Sequence, residues 1–148
     1  MEVFNSNNTF SILGELESYS QITNQTHILS PTECFNVGKY YFRQKNYPMM
    51  KKYFQLAINL GSSKSMEKLA MYYQTVELDY KQMINYYVLA CELNNANAMY
   101  NLGFYYKNIE KDYEMMKKYY LMAIGLGNLY AMNNLGHYHQ YIEKDYEM

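Results

Sequence analysis

The side chains best suited to chemistry in this chain are its histidines, its cysteines and one acidic cluster. His137 and His139 stand two residues apart, and on a helix that spacing turns their side chains about 200° away from each other. Histidine pairs that bind zinc on a helix are spaced four residues apart instead. His27 stands alone in a polar stretch. The histidines therefore predict no metal site.

The acidic cluster of Glu110, Asp112 and Glu114 alternates with lysines. Glu114 and Lys118 stand four residues apart, so we expect a surface ion pair that stabilises a helix by a few tenths of a kcal/mol. The chain has no Gly-rich phosphate loop, no nucleophile elbow and no paired acids that suggest a cleft. We therefore expect no enzymatic activity, no catalytic residues, no metal and no cofactor.

Composition narrows the class of protein and its surroundings. The 148 residues carry 13 basic and 14 acidic side chains, without a basic arm, so we expect no nucleic-acid partner. No apolar run approaches the roughly 20 residues that span a bilayer, so we expect no membrane insertion. The first ten residues lack the apolar block of a secretion signal, and two cysteines do not make a disulfide framework. These features predict a protein of a reducing, cytoplasmic compartment that is not secreted.

The elements that position these side chains are set by an internal repeat. The segment IEKDYEM, from Ile109 to Met115, recurs letter for letter from Ile142 to Met148, 33 positions downstream. AMYNLG recurs as AMNNLG at the same offset. A fixed period of this length is the signature of a stacked-repeat protein.

Each repeat predicts two short helices, because apolar and small residues recur at helical spacing in both halves. Ala98, Leu102 and Tyr105 show this in a first half, and Met116 and Tyr120 in a second. We therefore predict an all-α fold with a non-repeat leader, partly disordered or forming a short capping helix, at residues 1–29. The array follows at residues 30–148, with repeats at 30–61, 62–94 and 95–127 and a truncated repeat at 128–148.

Start and stop signals agree with these helices. Ser30, Pro31 and Glu33 predict a capping box that opens the array. The second helices are expected to begin after N-cap residues at matching positions, namely Asn46, Asp79, Asp112 and Asp145. They are expected to end at residues that adopt a left-handed backbone cheaply, namely Gly61, Asn94 and Gly127. The first repeat is one residue shorter, and we expect a loop between its halves to absorb the difference.

Most Leu, Ala and Tyr residues are expected to form the core and the contacts between helices. Gly103, Ala123 and Gly136 are expected to let neighbouring helices approach closely. Cys34 aligns with methionines of the later repeats, and Cys91 aligns with isoleucines of other repeats. Both cysteines thus occupy apolar positions, and we expect their thiols to be buried and inert.

These residues resemble a known repeat family. Leu102-Gly103-x-x-Tyr106, then Asp112, then Tyr119-Tyr120-x-x-Ala123 and Gly127, is similar to the Sel1-like repeat, a relative of the tetratricopeptide repeat. Runs such as DYEMMKKYYLMAI resemble the expanded Sel1-like sets of amoeba-infecting giant viruses, and the similarity covers residues 30–148. The family's Gly-x-Gly turn between helices is replaced here by KNIEK, at residues 107–111.

The resemblance implies a right-handed superhelical solenoid of antiparallel helix pairs. It also implies a scaffold for protein–protein contacts, without catalytic residues. In related solenoids the first helices line the concave surface.

Positions that vary between repeats form one stripe along the first helices, which we call the first-helix stripe, and we expect it to bind an unknown protein or peptide partner. The alternative is neutral drift on a solvated face. The stripe consists of Phe35, Lys39, Phe42, Glu67, Met71, Gln74, Tyr100, Phe104, Lys107, Asn133, His137 and Gln140.

The sequence stops at Met148, three residues into the second helix of the fourth repeat. Leu135 and Tyr138 are therefore expected to remain partly exposed. Truncation, decay of a longer array, and an open end completed by another chain all remain as explanations, and the last predicts self-association. The alternative to a scaffold is a truncated or decayed fragment with no independent function.

Overall fold

A computed structural model of the chain describes residues 29–141, which contain no strand. Seven α-helices occupy this range: α1 (Pro31–Arg43), α2 (Tyr47–Asn59), α3 (Ser63–Tyr72), α4 (Tyr80–Glu92), α5 (Ala96–Tyr105), α6 (Tyr113–Gly125) and α7 (Leu129–Tyr141). Two π-helical turns follow α3 and α5, namely π1 (Tyr73–Glu77) and π2 (Tyr106–Glu110). The predicted all-α fold class is confirmed. The predictions for the leader, His27 and Asp145 lie outside the described residues.

The chain divides into two compact units between Ser65 and Met66. In the first unit, Ser30 caps α1 through its side-chain oxygen, which accepts the Glu33 N–H, and Glu33 accepts the Ser30 N–H at 2.7 Å. The predicted capping box is therefore confirmed. Gly38 on α1 lies against the ring of Phe54 on α2, where any added Cβ would clash. This close approach buries the hairpin's apolar side chains.

The second unit begins inside α3 and contains two further helix pairs, α3–π1–α4 and α5–π2–α6, followed by α7. Gly103 on α5 lies under the ring of Tyr120 on α6, as Gly38 lies under Phe54. Tyr87 on α4 and Tyr120 are both fully buried. Equivalent residues thus fill equivalent places in successive repeats.

The predicted starts of the second helices are confirmed within the described residues. The side chains of Asn46, Asp79 and Asp112 each accept the backbone N–H three residues ahead, at 3.0 to 3.2 Å. Each bond satisfies one of the donors that a helix leaves open at its N-terminus.

The predicted ends are confirmed as well. Gly61, Asn94 and Gly127 have φ angles of 85°, 56° and 82°. At each end the N–H of the next residue donates to a buried alanine carbonyl five residues back, as in a Schellman motif. Those next residues, which sequence reasoning missed, also cap the following first helix with their own side chains; they are Ser62, Asn95 and Asn128.

The turn inside the repeat differs from the expectation. In the first repeat the Tyr41 carbonyl accepts the Asn46 N–H, five residues ahead, whereas the Tyr73 carbonyl accepts the Asp79 N–H, six residues ahead. The extra residue is therefore absorbed by π1, a widened helical turn, and not by a loop. The same holds for π2 in the third repeat.

Non-glycine residues with a left-handed backbone conformation close these turns. Lys45, Leu78 and Lys111 have φ angles of 56°, 55° and 58°. A left-handed backbone costs a non-glycine residue roughly 1–2 kcal/mol. These residues stand where the Sel1-like resemblance implies a glycine turn, and neighbouring contacts must offset the cost.

Tyrosine contacts hold the π turns. The Tyr72 hydroxyl donates to Glu77 at 2.6 Å, and the equivalent Tyr105 hydroxyl donates to Glu110. Burial and the bond to Glu110 raise the pKa of Tyr105 to about 12, so this hydroxyl keeps its proton. Tyr106 stacks on Tyr119 of α6 with ring centroids 5.7 Å apart.

Two expectations for α7 are wrong. Leu135 and Tyr138 are buried, because they face the preceding repeat, where Tyr138 packs against the ring of Tyr113 at 5.2 Å. Gly136 does not mediate a close approach, since nothing described lies within 4 Å of an added Cβ.

One ion pair also differs from its prediction. Glu114 pairs with Lys117, at 3.8 Å, rather than with Lys118. The Lys118 ammonium lies over the ring of Tyr119 instead, at 5.6 Å.

Both cysteines are buried and free, as predicted. Burial raises the pKa of the Cys34 thiol, and it raises the pKa of the Cys91 thiol to about 11. At neutral pH both therefore remain protonated and unreactive.

Candidate partner-binding surface

The first-helix stripe is described separately in each unit. In the first unit, the Lys39 ammonium lies 5.3 Å from the centre of the Phe35 ring, on the same helix. Phe42 is exposed and contacts Tyr47 with ring centroids 6.3 Å apart. This part of the stripe therefore presents aromatic side chains and one cation.

Glu67 on α3 is the exception within the stripe, since only 7% of the residue is exposed. Its carboxylate accepts a hydrogen bond from Asn95 Nδ2 at 3.2 Å and pairs with Lys68 at 3.4 Å. These bonds compensate the cost of burying a charge. Glu67 therefore supports the junction with the next helix instead of offering a contact to solvent.

The other two stripe residues of the second repeat are Met71 and Gln74, and they differ in how far they are exposed. Met71 is exposed, and the Lys68 ammonium approaches its sulfur at 3.5 Å. Gln74, in π1, is partly exposed and accepts the Tyr87 hydroxyl at 3.2 Å. Met71 thus offers an apolar contact, while Gln74 is already engaged.

The third repeat contributes most of the aromatic surface. Tyr100 and Phe104 on α5 lie with ring centroids 6.3 Å apart, and Tyr130 on α7 lies 6.0 Å from Tyr100. We call these three residues the aromatic cluster. Phe104 is 45% exposed and Tyr130 is 71% exposed. Large rings held at the surface in this way are typical contact residues of protein interfaces.

Partly buried contacts hold Tyr100 of this cluster in place. Tyr100 stacks on the buried Tyr120 ring at 5.9 Å. Asn134 of α7 donates from Nδ2 towards the hydroxyl oxygens of Tyr100 and Tyr120, at 3.3 and 3.4 Å. Burial raises the pKa of Tyr120 to about 12. Tyr100 is therefore anchored to α6 by the Tyr120 ring, whose hydroxyl stays protonated near neutral pH, and to α7 by Asn134.

An equivalent bond joins the preceding repeats. The Tyr87 hydroxyl is hydrogen-bonded to Asn101, which is the counterpart of Asn134. Burial is the main cause that raises the pKa of Tyr87. The tyrosine of one second helix is thus tied to an asparagine of the following first helix at two successive junctions.

Sequence reasoning found Tyr100 and Phe104 but missed Tyr130 and Asn134. The residues equivalent to Tyr130 are Asn97 and Lys64, so comparison between repeats gives no aromatic signal there. Asn134 did carry a signal, because Asn101 stands at the same place in the preceding repeat.

The rest of the stripe in the second unit is polar. Lys107, in π2, is partly exposed, whereas Asn133, His137 and Gln140 on α7 are exposed. α7 itself contains no Asp, Glu, Lys or Arg. With Glu67 buried, the exposed stripe of this unit has no carboxylate and one lysine.

Residues 29–141 were also compared with the requirements of a metal site and of a membrane-spanning helix. In that range no group of three or more His, Cys, Asp and Glu side chains lies close enough to hold a metal ion. Over the same residues, none of the helices has both the length and the apolar character that crossing a bilayer requires.

Similarity to known proteins is found at the level of structure. No protein-family model and no curated protein matches the sequence. A solved Sel1 repeat protein from Oxalobacter formigenes matches with a TM-score of 0.62 and 21% identity, covering 84% of this chain and 97% of that protein. The immunity protein Pa5087 from Pseudomonas aeruginosa matches with a TM-score of 0.51 and 18% identity, covering 83% of this chain and 54% of that protein. The chain therefore has the all-α solenoid fold of Sel1-type helical repeats.

Proposed function

We propose that this protein is a non-catalytic scaffold that binds a protein or peptide partner through the first-helix stripe, on the concave face that the Sel1-like resemblance implies. The aromatic cluster is the main contact. The observation that carries this proposal is the combination of exposed rings at Phe104 and Tyr130 with the partly buried hydrogen bond between Tyr100 and Asn134. Rigid aromatic side chains lose little conformational entropy when a partner covers them, so they contribute strongly to binding.

The chemistry around the cluster favours a particular kind of partner. Lys107 stands three residues from Phe104, and the exposed stripe of this unit carries no carboxylate. A partner segment with an apolar side chain for the cluster and an acidic group for Lys107 fits these features. The amides of Asn133 and Gln140 are suited to hydrogen bonds with the backbone of such a segment.

Affinity capture with the full chain tests this proposal. The variant Tyr100→Ala, Phe104→Ala, Lys107→Ala should lose at least tenfold in affinity for any captured partner. A matched control removes two exposed apolar residues and one lysine from the second helices, with Leu89→Ala, Met122→Ala and Lys118→Ala. Undiminished binding by the first variant, or equal loss in the control, would reject the stripe as the site. Circular dichroism should show that both variants keep their helix content.

We also propose that the protein works in a reducing, cytosol-like compartment, such as the cytoplasm of a host cell infected by a giant virus. The two buried free thiols support this compartment, because neither needs an oxidising environment. Fractionation of producing cells with an antibody against the chain tests the location. Recovery solely from the secreted fraction would contradict it.

A further inference from the structure

The rings of the aromatic cluster are arranged in series. The Tyr100 ring lies 6.0 Å from that of Tyr130 and 6.3 Å from that of Phe104, and it is inclined to them by 45° and 44°. Among residues 29–141, no ring contact joins Phe104 to Tyr130 directly, so Tyr100 stands between them. The three rings therefore bound two wedge-shaped spaces, one on each side of Tyr100, and do not form the walls of one continuous groove.

Tyr100 also carries a hydrogen-bond donor that the fold leaves unused. Its hydroxyl oxygen accepts a hydrogen bond from Asn134 Nδ2 at 3.3 Å. A tyrosine hydroxyl has one proton of its own to donate. Within residues 29–141 no group accepts that proton from Tyr100, and the side chain is partly exposed. The proton is therefore available to an acceptor on a partner.

The charged groups beside the rings favour a partner rich in acceptors. Lys107 is partly exposed, and an ammonium group donates hydrogen bonds without accepting any. The exposed stripe of the second unit carries no carboxylate, which is the strongest acceptor that a side chain offers. A partner backbone with open carbonyl oxygens and few N–H groups complements this surface.

The backbone forms that bound segments adopt differ in the groups that they present. A helix satisfies its own backbone groups and docks through side chains in a groove. An added strand needs the open edge of a sheet, and residues 29–141 contain no strand. A polyproline II segment has no internal hydrogen bonds, so its carbonyl oxygens are open, and each proline lacks an N–H. The polyproline II form is the one that this surface complements.

We propose that the partner presents a proline-rich segment in the polyproline II conformation to the aromatic cluster, an inference that rests on the proposed function of the stripe. Polyproline II advances about 3.1 Å per residue with three residues per turn, so residues i and i+2 lie about 6.2 Å apart along its axis, on neighbouring ridges. That spacing matches the 6.0 and 6.3 Å between successive rings. Prolines at i and i+2 fill the two spaces beside Tyr100, and the Tyr100 hydroxyl donates to a carbonyl oxygen of the segment.

Fluorescence anisotropy with the full chain and a labelled peptide of about nine L-prolines tests this inference. The matched control is a peptide of the same length and label with alternating L- and D-prolines. It keeps the apolar rings and lacks N–H groups, but it cannot form the left-handed helix. The all-L peptide should bind at least tenfold more tightly than the control. Equal affinities, or no binding of the all-L peptide up to about 1 mM, would overturn the inference.

Two variants of the chain assign the contacts. Tyr100→Phe keeps the ring and removes the donor, so the affinity for the all-L peptide should fall about fivefold. Tyr80→Phe removes the hydroxyl of an exposed tyrosine of α4, outside the stripe, and should change nothing. Phe104→Ala removes one wall of a space and should cost at least tenfold, whereas Leu121→Ala on the exposed side of α6 should not. Affinity that neither Tyr100→Phe nor Phe104→Ala changes would place the peptide elsewhere and overturn the inference.

Competition with a partner captured by the full chain separates this inference from the proposed function. Displacement of that partner by the all-L peptide, and not by the alternating peptide, supports both. If the partner loses affinity for the triple variant of the stripe but the all-L peptide does not displace it, the stripe remains the site and the proline-rich class is overturned. If the partner binds the triple variant undiminished, the stripe is not its site and both proposals fail.

Discussion

Helices α5 and α7 occupy the same position in successive repeats and differ in what covers them. The side that faces the preceding repeat is buried in both helices, at Ala98 and Leu102 of α5 and at Ala131 and Leu135 of α7. Among residues 29–141, the opposite side is covered in α5, by α6 of its own repeat, whereas none of these residues lies within 4 Å of a Cβ added at Gly136 of α7. A first helix in this fold therefore has two separate sides, one towards the preceding repeat and one towards the second helix of its own repeat.

The largest difference is expected at the matched methionines. Met99→Ala removes a buried side chain beneath α6 and should lower the free energy of unfolding by about 2–4 kcal/mol. Met132→Ala removes a half-exposed side chain and should change it by less than about 0.5 kcal/mol at concentrations where the chain is monomeric. Urea unfolding followed by circular dichroism measures both values. Equal effects would mean that the two faces are covered alike.

Replacing each of the matched glycines, Gly103 and Gly136, by alanine should change the free energy of unfolding in opposite directions. Gly103→Ala places a Cβ against the Tyr120 ring, so we expect a loss of about 1–3 kcal/mol from overpacking. Gly136→Ala has open space and a better helix former, so we expect a gain of about 0.5–1 kcal/mol. The two substitutions are chemically identical, and each serves as the control for the other. Thermal unfolding should move in opposite directions, and movement in one direction would contradict the comparison.

Much of this comparison follows from local sequence signals. Gly61, Asp112 and the capping box at Ser30 were predicted, because caps and left-handed ends depend on the chemistry of a few adjacent residues. The helix pairs follow from the 33-residue period and helical spacing. These features require no knowledge of which helix covers which face.

The missed features depend on contacts between distant residues. Leu135 was expected to be exposed because its own second helix was in question, yet the preceding repeat is enough to bury it. Glu67 was placed on the surface as a variable acid, and Asn95, 28 positions away, gives it a partly buried hydrogen-bond partner. The π turns were missed since one inserted residue fits a loop or a widened helical turn equally well in sequence terms. The role of the first-helix stripe stays a prediction.

Tyr120 contacts both α5, through its ring over Gly103, and α7, through its hydroxyl bond to Asn134. Removing the hydroxyl alone should lower the free energy of unfolding less than removing the ring. Tyr120→Phe keeps the ring over Gly103 and removes the bond to Asn134 of α7, which should lower the free energy of unfolding by about 1 kcal/mol. Tyr130→Phe changes an exposed hydroxyl and should be neutral. Chemical unfolding at neutral pH compares the two variants. A neutral Tyr120→Phe would mean that this bond does not stabilise the junction.

The same hydroxyl predicts a dependence on alkaline pH. The pKa of Tyr120 rises from its model-compound value of 10.0 to about 12 in the folded chain, so the folded state binds more protons between these values. The contribution of Tyr120 to the free energy of unfolding should therefore be constant below about pH 10 and be lost as the pH rises towards 12. Tyr120→Phe should reduce the slope of that fall, and an unchanged slope would assign the effect to other tyrosines.

The smallest effect concerns the turn that leads from α5 to the helix that covers it. Lys111 closes π2 with a φ of 58°, which a glycine adopts without steric cost. Lys111→Gly relieves this strain but makes the unfolded chain more flexible, so we expect a net gain of about 0.5 kcal/mol. Lys107→Gly, inside π2, relieves no strain and should cost about 1 kcal/mol. Thermal unfolding compares the two variants. If Lys111→Gly destabilises the chain as much as Lys107→Gly does, contacts of the Lys111 side chain hold the turn. Those contacts then position α6 over α5 in spite of the left-handed backbone.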